Sequence, residues 1–124
     1  MKAEWIDLCR CDGFRIDGNF VEVIFANERR QRVCIEDQAD AYRLFSVAAR
    51  AAKLGDLANP ALVAWERNRS LSLMGLRVDE CGRMIGEAWI PKAGLTAEEF
   101  QLYVRTVALE CDRFEFQLTG RDVE

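Results

Sequence analysis

Near the end of the chain, Thr96-Ala97-Glu98-Glu99 spells a capping box, in which the Thr96 hydroxyl and the Glu99 carboxylate each accept a backbone N–H from the other. Leu95 and Phe100 flank it as a hydrophobic staple. The helix that it opens carries Phe100, Tyr103, Val104, Val107, Cys111 and Phe114 along one stripe, and is predicted to last until Leu118, before Gly120, with residues 121–124 fraying. A stripe that long has to lie on an apolar partner, so the rest of the chain must supply a sheet or bundle face.

The upstream sequence supplies strands. Trp5, Leu8 and Cys9 fall at i, i+3 and i+4, which predicts a short helix closed by Asp12-Gly13. Phe14 and Ile16 alternate with Arg15 and Asp17, Asp17-Gly18-Asn19 is a turn, and residues 20–25 (FVEVIF) are rich in β-formers. A third strand follows through Arg32-Val33-Cys34-Ile35. Asp37 then reads as the cap of an amphipathic helix, with Ala41, Leu44, Phe45, Ala48 and Ala52 at helical period, Arg50 and Lys53 in its last turn and Gly55 beyond. Asn59-Pro60 opens a shorter helical piece over residues 60–67. Ser70 to Val78 reads as a strand, Asp79-Glu80-Cys81-Gly82 as a turn, and Met84 to Ile90 as the antiparallel partner stopped by Pro91. The expected fold is α+β, an antiparallel sheet with helices packed on one face, in the order α-β-β-β-α-β-β-α. At 124 residues it fits one domain over 1–124.

Composition narrows the function classes. Half the residues are apolar and 31% are charged, as in an ordinary globular protein. A chain this long buries roughly two-thirds of its unfolded surface, enough to fold without metals or disulfides. There is no histidine, which removes Ser-His-Asp and Cys-His chemistry together with imidazole ligands. Five cysteines (Cys9, Cys11, Cys34, Cys81, Cys111) form no CxxC pair and point to reduced thiols, with neither a disulfide framework nor a zinc site. Glu4 and Asp7 interrupt any signal-peptide core, and charges break every hydrophobic run before it could span a bilayer. A net charge of −4 argues against nucleic acid as a partner. The expected setting is the cytoplasm, with no cofactor and no membrane association.

Several segments together resemble the YbjN family, which shares the fold of type III secretion chaperones of the CesT kind. They are Asp12-Gly13-Phe14, the basic turn leading into Arg30 to Ile35, Trp65-Glu66-Arg67-Asn68-Arg69, the turn Asp79 to Gly82, and residues 91–100 (PKAGLTAEEF). The resemblance implies a bacterial, non-enzymatic protein acting through protein contacts as a dimer, with no catalytic residue to carry over.

The carboxylate pairs Glu36-Asp37, Asp79-Glu80 and Glu98-Glu99 stand at element boundaries, where capping explains them better than a metal or acid–base role. Arg29-Arg30-Gln31-Arg32 reads as a solvated hairpin tip, with a grip on phosphate or acidic peptide as the sharper alternative. Asn68 is placed to fix the corner between helix and strand. The second hairpin carries the main functional hint, because Met74, Leu76 and Val78 alternate with Leu71 and Leu73, and Met84 and Ile90 alternate with Ile85 and Trp89. Helices cover only one face, so Leu71, Leu73, Ile85 and Trp89, with Arg69 beside them, form the candidate interaction surface. The expected function is a chaperone- or adaptor-like protein-binding module, homodimeric, holding a protein or peptide client by apolar contact and strand addition. The alternative is a small-ligand-binding or enzymatic domain with a cavity between sheet and helices, served by Cys34, Cys81 or Cys111 at depressed pKa.

Overall fold

The computed structural model describes residues 5–55 and 57–123, the side chains of residues 119–123 excepted. A short helix α1 (Trp5–Leu8) leads into strands β1 (Phe14–Asp17), β2 (Phe20–Ile24), β3 (Arg30–Asp37) and β4 (Ala41–Ala49). Helices α2 (Ala51–Leu54) and α3 (Pro60–Asn68) follow, then β5 (Gly75–Val78), β6 (Met84–Pro91) and the long α4 (Ala97–Val123). All six strands pair antiparallel in one sheet, ordered β1-β2-β3-β4-β6-β5. The expected α+β class with an antiparallel sheet holds.

One segment differs in kind. Ala41–Ala49 is a central strand, where the 3.6-residue spacing predicts a helix capped by Asp37. The same residues also satisfy period two: Tyr42, Leu44, Ser46 and Ala48 are buried on one face and alternate with half-buried Ala41, Arg43, Phe45 and Val47. Pairing on both sides decides between the periods, because β4 bonds to β3 and to β6. Asp37 caps no helix and pairs with Lys92 instead. Two boundaries also move. Residues 70–74 precede β5 as a loop, with Leu73 at φ +71°. Helix α4 runs through Gly120 to Val123, past the expected end at Leu118, since a helical glycine costs about 1 kcal/mol yet ends nothing by itself; residues 121–123, expected to fray, are helical, and residue 124 lies outside the described residues.

Helix α4 crosses one face of the sheet over β2, β3, β4 and β6. The capping box forms as written, with the Thr96 N–H donating to Glu99 Oε1 at 3.0 Å and the Glu99 N–H to Thr96 Oγ1 at 3.2 Å. Phe100, Val104, Val107, Cys111 and Phe114 are buried on Val21, Val33, Leu44, Met84 and Ile90, each side chain stabilising by about 1.5–3 kcal/mol. Gly86 lets the helix come this close: a Cβ there would lie 2.4 Å from Cys111 Sγ and 2.8 Å from Met74 Cε. Gln101 donates to the Leu8 carbonyl at 2.8 Å, pinning α1 beside α4. Helix α3 packs at the β5 end.

Candidate interaction surface

Pleating sends alternate residues to the opposite face, which α4 does not cross. Register lines them up in rows: Glu36, Arg43 and Trp89; then Phe20, Cys34, Phe45 and Glu87; then Glu22 and Arg32, with Val47, Ile85 and Arg77 beyond. A charge ladder runs diagonally across them. Arg43 pairs with Glu36 at 3.2 Å and with Glu87, and Glu87 also accepts from Arg77 at 2.8 Å. Burial pushes the Glu87 carboxyl up, but the Arg77 and Arg43 guanidiniums outweigh it and hold the group below its ordinary value. The Arg43 guanidinium also lies 4.3 Å over the Phe45 ring.

The candidate residues separate on this frame. Trp89 is 56% exposed and Leu73 43% exposed, and they line one groove of about 380 Å³ with Gly75, Arg77 and Glu87. Leu73 holds a left-handed backbone that a bulky residue seldom adopts. Ile85 is a correction: although it points to the helix-free face, it is only 2% exposed. It sits between Val47 and Arg77 at the end of the sheet, where α2 meets the 79–82 turn and a Cβ at Gly82 would approach Ala51 Cβ at 3.4 Å. Leu71 is half-buried and packs against the core, so it too offers little surface. Arg69 lies apart at the end of α3, its guanidinium 5.5 Å over the exposed Trp65 ring.

The two sheet edges are not equivalent. Gly75 and Arg77 bond to β6, as the Asp79 N–H to Arg83 carbonyl bond sets the alternation, so Leu76 turns its N–H and carbonyl outward. Asn68 takes both: its Oδ1 accepts from the Leu76 N–H at 2.7 Å and its Nδ2 donates to the Leu76 carbonyl at 2.9 Å. The expected corner role of Asn68 thus extends to plugging the edge as a seventh strand would. On β1 the Ile24 N–H to Gly13 carbonyl bond (2.8 Å) sets residues 13, 15 and 17 toward β2 and turns the Ile16 backbone outward. Beside it runs a groove of about 520 Å³ lined by Cys9, Cys11, Phe14 and Ile16. Sequence reasoning passed over Phe14 and Ile16, whose only signal was their place on a first, hence potentially terminal, strand.

The thiols are not activated where a shift is resolved. Burial pushes Cys9 and Cys111 up to about 12, and burial together with Glu36 raises Cys34 despite Arg32, Arg43 and Arg83 nearby. Among the described residues no helix is long and apolar enough to cross a membrane.

No protein-family model and no curated protein matches the chain. Solved structures do. A chain of the ExsC–ExsE complex superposes with a TM-score of 0.58 at 17% identity, covering 94% of this chain and 89% of that one. The heterodimeric ExoU–SpcU complex from the type III secretion system of Pseudomonas aeruginosa gives 0.58 at 11% identity, over 82% and 84%. The HopA1–SchA chaperone–effector complex gives 0.52 at 13% identity, over 81% and 77%. The chain therefore shares the fold of the matched chains in these complexes.

Proposed function

We propose that the protein is a cytoplasmic, non-enzymatic chaperone- or adaptor-like module, YbjN-like in sequence pattern and one α+β domain over its length. In this reading it forms a homodimer and holds an extended segment of a client protein. Carrying the reading is Trp89, an indole left more than half exposed beside an exposed Leu73 on a sheet face that α4 does not cover. Fold likeness to chains of complexes that include a chaperone–effector pair lends support. Strand addition, where it occurs, belongs at β1, because Asn68 already occupies the β5 edge.

Sedimentation velocity of the wild type against Trp89→Asp tests this. The expected result is a dimer for the wild type and a monomer, still folded by circular dichroism, for the variant. A wild type that stays monomeric at high concentration, or a variant unchanged in both assembly and client capture, would refute it.

A further inference from the structure

The ladder between β3 and β4 runs from Asp37↔Tyr42 to Cys34↔Phe45 and stops there. Beyond it, residues 30–33 still pair with β2 and residues 46–49 still follow β6, but the register carries no pair between the two segments. The sheet forks. Side chains bridge part of the gap: Gln31 Nε2 donates to Ser46 Oγ at 2.7 Å and to the Val47 carbonyl at 3.0 Å, and Ser46 Oγ donates to the Arg32 carbonyl. Above these bridges lies a concavity of about 920 Å³ whose rim carries Arg30, Arg32, Arg50 and Arg83, with Glu115 as its carboxylate.

Four guanidiniums around one cleft are unusual on a chain of net charge −4. Two are engaged: Arg30 with Glu22 at 3.3 Å and Arg83 with Asp79 at 2.7 Å. Arg32 and Arg50 meet no described carboxylate within 4 Å. The Arg32 guanidinium carbon lies 4.6 Å from the Phe20 ring centroid, a cation–π contact that holds the group on this face.

We propose that this fork binds an extended, acidic segment of a partner protein. Its carboxylates meet Arg32 and Arg50, and its backbone lies along the strand flanks that β3 and β4 leave apart. Cys34, Phe45 and Val47 give its apolar side chains a floor. A free phosphate would satisfy the guanidiniums but use neither the strand flanks nor this floor. The proposal rests on the protein-binding reading above only in that its occupant belongs to a protein, and it uses different residues.

Fluorescence anisotropy with a short labelled peptide of alternating Glu and Thr, against Gln/Thr and Lys/Thr counterparts, tests it on the full chain. The Glu/Thr peptide should bind at least about tenfold tighter than the Gln/Thr peptide, and more weakly as salt rises. Arg32→Ala with Arg50→Ala, both exposed and outside every ion pair among the described residues, should abolish that difference while leaving the circular dichroism spectrum unchanged. Binding should also slow modification of Cys81, which lines the same rim. Equal binding of the three peptides, full binding by the double variant, or displacement by inorganic phosphate at concentrations that leave unrelated salts inert would each overturn the assignment. Trp89→Asp leaves the fork intact, so loss of assembly with peptide binding retained, or the reverse, tells the two readings apart.

Discussion

Replacing Asn68 by alanine removes both hydrogen bonds that close the β5 edge. Each such bond contributes about 0.5–1.5 kcal/mol net, so the variant should lose roughly 1–3 kcal/mol, more than its helix position alone would predict, since alanine is the better helix former. For a chain of this length that is roughly 4–12 °C in Tm. The second consequence concerns assembly. With the Leu76 N–H and carbonyl freed, the sheet has two open edges instead of one, and edge-to-edge association becomes available. Asn68→Asp is the sharper variant, because one carboxylate oxygen still accepts from the Leu76 N–H while the other faces the Leu76 carbonyl, so it should recover little. Urea unfolding followed by tryptophan fluorescence reads the stability, and amide hydrogen exchange reads the Leu76 N–H directly, protected in the wild type and fast in Asn68→Ala. A Leu76 amide that exchanges freely in the wild type, or an alanine variant within about 0.5 kcal/mol of it, would refute the plugged edge.

Gly86→Ala should destabilise by about 1–3 kcal/mol by driving a methyl into Cys111 Sγ, and adding Cys111→Ala should recover at least about 1 kcal/mol against the sum of the single variants in urea unfolding. At Asp79 burial raises the carboxyl, but the Arg83 backbone N–H and guanidinium with the Cys81 N–H outweigh it and hold the group below its ordinary 3.8. Its stabilisation is therefore present above about pH 4 and lost as pH falls through the lower folded value; Asp79→Asn should cost about 1–3 kcal/mol at pH 7, with the difference from wild type shrinking in acid. Thiol labelling should be rapid at exposed Cys81, whereas buried Cys9 and Cys111, pushed up to about 12, should react only as fast as the chain opens.

What the sequence made legible, and what it hid, follows from where the deciding interactions lie. The capping box, the Asp17-Gly18-Asn19 turn and the Asn59-Pro60 helix start are satisfied within a few residues, and each forms where its residues predict. Ala41 to Ala49 is different. Leu44 and Ala48 fit an inward face at either period, and the choice is made by β3 and β6, which flank this strand on either side. The buried Ser46 hydroxyl accepts from Gln31 and donates to the Arg32 carbonyl, partners on β3 that sequence alone does not bring to it. The candidate surface divides the same way. Trp89 is exposed as alternation requires and Leu73 is exposed on the loop before β5, whereas Ile85 obeys the alternation and is still enclosed, 2% exposed between Val47 and Arg77.

The charge ladder sets the terms on which the helix-free face can be used. Glu36, Arg43, Glu87 and Arg77 run diagonally from β3 to β5, and the Arg43 and Glu87 side chains are only 15% and 16% exposed. Separating a pair at that depth strands a charge that water reaches poorly, a larger loss than an apolar contact of similar size returns. A docking partner is therefore confined to either side of the diagonal, with Trp89 and Leu73 on one flank and Cys34, Val47, Arg32 and the fork on the other. Contacts on the two flanks share no side chain. Variants at Trp89 and at Arg32 should accordingly add in their effects on binding within about 0.5 kcal/mol. A coupling well above that, in a double-mutant cycle, would mean that the ladder opens when a partner docks and that the face works as one site.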